Sequence, residues 1–223
     1  PTPPTLTELQ TKIDNTIHRG VDAILRTQQP DGTWADNQYA YPVGPTALCT
    51  YALLKCGLKT SHPAVNRALR FLEGNLSNKT YGAACQLMAF EATKDKRYKP
   101  LMKELLHRLL EWQRGGWGYP HGTVDLSNTQ YGALGLRAAR IAGIKVPRRA
   151  LIKLIEHTFH HQQKPEMKEI PPDPVQEAGY SRGSGPGKVA GFGYRAAKTN
   201  RAGQKATGSM TTAGLGVLLI AQE

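Results

Sequence analysis

Two kinds of helical segment alternate along this chain, and that alternation constrains its fold more than any single motif. Segments at 6–29, 63–75, 99–113 and 147–162 carry apolar residues at three- and four-residue steps, with polar residues opposite. The first shows the pattern most plainly, in Leu6, Leu9, Ile13, Ile17, Val21, Ile24 and Leu25. Between them, segments beginning near Thr46, Thr80, Thr129 and Thr211 are rich in Ala, Gly and Leu and apolar nearly all round. A helix with one wet face belongs at the surface, and a helix without one belongs inside. The pattern predicts an all-α fold of four helical hairpins in two layers, an inner and an outer. Punctuation agrees. Pro30-Asp31-Gly32 stops the first helix, Gly57 and Gly143 end inner helices, and Pro63 and Pro147 open the outer helices that follow. A threonine recurs at each inner start, where its hydroxyl is suited to capping free N–H groups.

Composition bounds the partners more than the fold. No run of about eighteen apolar residues occurs, so no membrane-spanning helix is expected. The three cysteines, Cys49, Cys56 and Cys85, lie in apolar helical stretches without Cys-x-x-Cys spacing. They read as buried small side chains, which favours a reducing compartment, cytoplasmic or peripheral to a membrane. The net charge of +12 is uneven: residues 137–205 hold fourteen Lys/Arg against five Asp/Glu. Such a surface suits an anionic membrane or an acidic protein. No interleaved aromatic motif accompanies it, so nucleic acid is not the expected partner.

One stretch breaks the helical alternation. Residues 164–207 are rich in Gly, Pro and basic side chains and read as a long loop within a single domain spanning 1–223. Its Gly183-Ser184-Gly185-Pro186-Gly187-Lys188 superficially suggests a phosphate-binding loop. The first glycine of that pattern falls on Arg182, and Val189 replaces the required Ser/Thr, so no nucleotide or other cofactor is expected. His157 and His161 form an i, i+4 pair with His160 beside them, but the glutamate of a His-Glu-x-x-His zinc site is missing. No metal is expected there.

The turns carry a resemblance. Gln28-Gln29-Pro30-Asp31-Gly32-Thr33-Trp34 resembles the QW motif of squalene and oxidosqualene cyclases. A second copy runs from Gln113 through Gly116-Trp117, and a third from Gln162 or Gln163 to Gly191-Phe192-Gly193-Tyr194 across the long loop. The similarity covers almost the whole chain and extends to protein prenyltransferase β subunits. It implies a partial α/α toroid, because those relatives close a full ring and only four hairpins are present here. A longer parent chain is the expected reason. The structural residues it marks are Gln28, Gly32, Trp34, Gln113, Gly116 and Trp117.

Resemblance also locates a candidate site. Val124-Asp125-Leu126-Ser127-Asn128-Thr129-Gln130-Tyr131 leads an inner helix into the would-be cavity. Squalene–hopene cyclases are similar here in placing Asp-x-Asp-Asp-Thr-Ala, whose central acid protonates an alkene. Aligned on Asp125 and Thr129, that acid becomes Ser127, and a hydroxyl cannot supply the proton. Prenyltransferase β subunits place an Asp and a Cys two apart, with a later His, around zinc. Asp125 matches the Asp, Ser127 replaces the Cys, and Met210 stands near the His position. Asp125 is thus the catalytic candidate, with a helix-start carboxylate as its plainer role. Tyr81, Ser127, Asn128, Tyr131 and Met210 are the candidate cavity residues. The expected function is a hydrophobic-ligand toroid, isoprenoid-type by resemblance, without the standard chemistry. The alternative is a non-catalytic scaffold engaging an acidic partner or membrane surface.

Overall fold

Apolar periodicity becomes helix at every predicted position in the computed structural model, which describes residues 5–34, 41–119, 122–170, 185–196 and 205–223. Among them are α1 Leu6–Arg26, α2 Val43–Lys55, α3 Pro63–Gly74 and α4 Thr80–Ala92, then α5 Lys99–Trp112, α6 Leu126–Ile141, α7 Arg148–Phe159 and α8 Gly208–Gln222. The fold is all-α. Among the described residues the sheets are two small antiparallel pairs, β1 Trp117–Gly118 with β2 Val124–Asp125, and β3 Glu166–Ile170 with β4 Gly185–Val189. The second pair lies inside the stretch expected to be loop; residues 171–184 and 197–204 of that stretch fall outside the described residues.

The all-apolar helices pack on one another in the order α2–α4–α6–α8. Small residues make this close approach possible. A Cβ on Gly44 would lie 3.8 Å from the Gly82 Cα, and one on Gly135 would lie 3.2 Å from the Ala84 Cα. The amphipathic helices lie against this row: α3 on α2, α5 on α4 and α6, α7 on α8 and α6. Leu53, Leu87, Phe90, Leu105, Leu109 and Leu136 are almost fully buried between the layers. Each such side chain contributes about 1.5–3 kcal/mol by leaving water. No helix among the described residues is long and apolar enough to cross a membrane.

α1 departs from the expected outer layer. Its last turns, through Val21, Ile24 and Leu25, join the core. Its first half does not: Leu6, Leu9, Ile13 and Ile17 stay exposed, Leu6 at 85%. No described helix covers that half, so the stripe lacks a surface to bury against. The helix is nonetheless well started, because Thr5 and Glu8 form a capping box.

The repeated turns share one hydrogen-bond plan. Gln28 Nε2 donates to the carbonyls of Gly32 at 3.1 Å and Ala64 at 2.8 Å, tying the end of α1 to the start of α3. Gln113 Nε2 donates likewise to Gly115 at 3.2 Å and Ala150 at 2.9 Å, tying α5 to α7. The Trp34 indole N–H bonds the Ile24 carbonyl at 2.7 Å, and that of Trp117 bonds Leu109 at 2.8 Å. Each turn needs left-handed backbone, at Gly32 (φ +87°) and Gly115 (φ +86°). In the second copy this role belongs to Gly115. Gly116 instead leaves room for Thr129 and His157, whose atoms a Cβ would meet at 2.3 and 2.6 Å.

The recurring threonines do something other than cap. Thr46 Oγ1 accepts from the Trp34 backbone N–H, Thr129 Oγ1 from that of Trp117, and Thr211 Oγ1 from that of Phe192, each at 3.1 Å. They clasp each turn to the inner helix that follows it. Thr80 differs, donating to the Gly118 carbonyl at 2.9 Å. Side-chain caps come instead from Asp125 on α6 and Thr207 on α8. Cys85 is buried as expected, but Cys56 is exposed, because it follows the last turn of α2 and lies outside the packed face.

Gly57 and Gly143 end α2 and α6 with φ of +93° and +71°. The next residue then bonds back across the turn, Leu58 N–H to Leu53 and Ile144 N–H to Ala139. Nothing lies within 4 Å of a Cβ on Gly57, so Gly57→Ala isolates the cost of the backbone conformation. It should destabilise the fold by about 1 kcal/mol in urea unfolding, with an unchanged m-value.

Candidate functional site

Three inner helices bring their first turns to one end of the row. Gly44 of α2 sits beside Gly82 of α4, and Tyr81 of α4 is hydrogen-bonded through its hydroxyl to Ser127 Oγ of α6. A cleft of about 520 Å³ opens there. Its walls include Tyr41, Val43, Leu76, Lys79, Tyr81 and Tyr119, with no carboxylate among the described residues that line it. The volume is in the range that holds a small organic molecule.

Aromatic rings dominate this end. The Tyr81 ring lies 4.2 Å from that of Tyr131 and 6.1 Å from that of Tyr119, centroid to centroid. Burial pushes the Tyr81 phenol up to about 12, outweighing the bond to Ser127 that lowers it. Burial also raises Tyr131 and Tyr194, the latter with help from the Asp125 charge. These phenols remain protonated at neutral pH and act as donors rather than bases. Lys79 Nζ sits 4.8 Å over the Tyr41 ring, a cation–π contact.

Asp125 is built into the helix start. It is 4% exposed, and its Oδ1 accepts from the Asn128 N–H at 2.8 Å while Oδ2 accepts from Asn128 Nδ2 at 2.8 Å. The Tyr194 phenol lies close enough to this carboxylate for its charge to raise the phenol. The Asn128 amide is fully buried, and its Oδ1 has no partner. Met210 packs elsewhere, with the small cluster of Leu126, Phe192 and Ala213. The structure therefore joins Tyr81, Ser127 and Tyr131 directly, places Asp125 and Asn128 on the same first turn as Ser127, and sets Met210 in a separate apolar contact.

Chemically, the described residues at this end offer ring faces, hydroxyls and the Lys79 ammonium. Ser127 Oγ is engaged by a protonated phenol, and the nearest acid is engaged by Asn128. Among the described residues no group of three His, Cys, Asp or Glu is placed to hold a metal. The arrangement is suited to holding a molecule.

Sequence reasoning passed over Tyr41, Lys79, Tyr119 and Tyr194. A signal for two of them was present. Gly116-Trp117-Gly118-Tyr119 and Gly191-Phe192-Gly193-Tyr194 repeat a Gly-aromatic-Gly-Tyr pattern, whose first aromatic is buried and whose tyrosine reaches the site. Tyr41 and Lys79 lie in short connectors, where no periodicity marks them. No protein-family model, curated protein or solved structure matches this chain.

Proposed function

We propose that the chain is a toroid domain akin to the squalene cyclases and prenyltransferase β subunits, and that its tyrosine-lined cleft binds a hydrophobic, isoprenoid-type molecule without transforming it by either standard route. The observation that carries this reading is a cleft of about 520 Å³ lined by Tyr41, Tyr81 and Tyr119, with Tyr81 held from behind by its hydrogen bond to Ser127 and its contact with the Tyr131 ring. Stacked phenols present apolar faces to a ligand while their hydroxyls stay satisfied or wet. The ordering of inner helices α2–α4–α6–α8 with outer helices against them supports the arc of a toroid. Ser127 in place of an acid or a thiol argues against alkene protonation and zinc-thiolate chemistry.

Titration with farnesol and geranylgeraniol, followed by tyrosine fluorescence and thermal shift, tests the reading. Saturable binding is expected, with squalene and farnesyl diphosphate recovered unchanged after incubation. Tyr81→Ala should weaken binding about 10–100-fold, through lost ring contact. Turnover of squalene, or binding indifferent to Tyr81→Ala, would contradict it.

A second reading rests on a separate observation. The exposed stripe Leu6, Leu9, Ile13 and Ile17 on a protein of net charge +12 suits a scaffold that docks on an anionic membrane or an acidic protein. Sedimentation with phosphatidylserine vesicles that is lost in high salt would favour it.

A further inference from the structure

The C-terminal end of α7 carries a histidine pair, His161 buried and His157 half-buried, that the cleft does not use. His157 lies in the last turn of α7, and His161 follows two residues after that helix ends. Their Nε2 atoms are 3.1 Å apart. His161 is fully buried, and its Nδ1 lies 3.2 Å from the Gly193 carbonyl. A carbonyl can only accept, so His161 carries its proton on Nδ1 and presents a bare Nε2. His157 must then donate from its own Nε2. The ring positions assign both tautomers through one chain of bonds, His157 to His161 to Gly193.

That chain holds two of the repeated turns in place. His157 packs on the 115–116 turn, where a Cβ on Gly115 would meet its Nδ1 at 2.9 Å. His161 grips the third turn twice, because its carbonyl also accepts from the Gly193 N–H at 2.8 Å. The same segment reaches α6: the Tyr194 carbonyl accepts from the Leu126 N–H at 2.9 Å. From the His pair to the α6 start is thus a continuous path of hydrogen bonds.

We propose that His157 and His161 form an acid-sensitive latch, which fastens the 191–194 segment to α7 and the start of α6 while both rings are neutral and releases it when the pair is protonated. A proton on His161 Nε2 removes the acceptor and sets two N–H groups against each other. A proton on His157 Nδ1 places a charge against glycine backbone in a half-buried position. The ionisable groups that face the pair are few. His160 on the same stretch opposes a charge on either ring, Asp125 from the α6 start favours one on His161, and the 115–116 turn supplies backbone alone. Tyr194 faces His161 through its backbone.

Burial decides the balance. It holds His157 down to about 4, with the neighbouring His161 and His160 adding to the effect. Burial likewise lowers His161, against the opposing pull of the Gly193 carbonyl and Asp125. The folded pKa values lie below the unfolded value of about 6.5. The stabilisation is therefore complete above pH ~6.5 and is lost as pH falls towards about 4.

Hydrogen exchange of the Gly193 and Leu126 amides, corrected for intrinsic rates and compared with amides inside α4, tests the latch on the whole chain. Between pH 7 and pH 5 the protection of Gly193 and Leu126 should fall about 10–30-fold while α4 holds. His157→Gln should flatten this dependence, because the amide can rotate to offer His161 either a donor or an acceptor. Imidazole ¹⁵N shifts of the unmodified chain provide a second readout, independent of any variant. They should show His161 protonated on Nδ1 alone at pH 7. Equal protection at both pH values, an unaltered dependence in His157→Gln, or an Nε2-protonated His161 would each overturn the proposal. So would stoichiometric zinc binding by the unmodified chain that His157→Gln abolishes, since the pair would then be holding a metal.

Discussion

Trp117→Ala should lower the stability of the fold by about 3–5 kcal/mol, read as the midpoint shift in urea unfolding. Trp117 is fully buried, and its indole N–H bonds the Leu109 carbonyl at 2.8 Å. Its ring lies directly against Gly132 of α6, where a Cβ would meet ring carbons at 2.4 and 2.5 Å. Removing the ring opens a cavity between α5 and α6 and strands a carbonyl, two costs that reinforce each other. The tight seat at Gly132 gives a companion result. Gly132→Ala should cost about 1–3 kcal/mol in the native background and much less when Trp117 has been shortened to leucine. Additive losses in that double variant would show that the two positions do not share one packing site.

Gln86→Leu should be the second large loss, about 3 kcal/mol or more, without any change in helix content by circular dichroism. Gln86 is fully buried in the middle of α4. Its Oε1 accepts from the Ser77 N–H at 2.8 Å, and its Nε2 donates to the carbonyls of Leu72 at 3.1 Å and Asn75 at 2.9 Å. These bonds close the end of α3 and the connector that leads into α4. Leucine has similar bulk but removes the partner of the buried Ser77 N–H and that of the Asn75 carbonyl, while the Leu72 carbonyl keeps only the Asn75 N–H. Since Leu76, Ser77, Asn78 and Lys79 of that connector line the cleft, Gln86→Leu should also weaken ligand binding, although Gln86 is not itself among the lining residues. A loss below about 1 kcal/mol would mean that the connector finds other partners.

The helices were legible because their signal is local. Spacing of three and four residues separates an amphipathic helix such as α5 from the nearly uniform α4, and the layers follow from that difference. The Gln…Gly-x-Trp turns were legible for the same reason, down to the glycine that must adopt positive φ in the first copy. The second copy was read one residue late. Gly115 and Gly116 are adjacent, and only their surroundings reveal that one bends the chain while the other makes room for Thr129 and His157. Contacts between distant segments left little trace. Gln86 looks like a polar interruption in an apolar helix until Ser77 and Asn75 are seen around it. His157 and His161 show only an i, i+4 spacing in the sequence, because the segment that binds His161 arrives some thirty residues later, after β3 and β4.

The candidate site divides in the same way. Asp125, Ser127 and Tyr131 were found through one contiguous stretch, and the structure keeps Asp125 and Ser127 on the first turn of α6. What those residues touch was not legible. The Tyr81 hydroxyl engages Ser127, and Asn128 takes both oxygens of Asp125, so the stretch that resembles a catalytic motif is occupied with holding helix starts together.

Photolabelling with a diazirine-bearing farnesol analogue tests the cleft most directly, because it reports where a hydrophobic molecule rests on the intact chain. The predicted result is saturable labelling of peptides containing residues 75–82 and Tyr119, displaced by excess farnesol and reduced by Tyr81→Ala. Labelling that falls instead on Leu6–Ile17 of α1, or that does not saturate, would contradict a ligand site at the start of the inner helices.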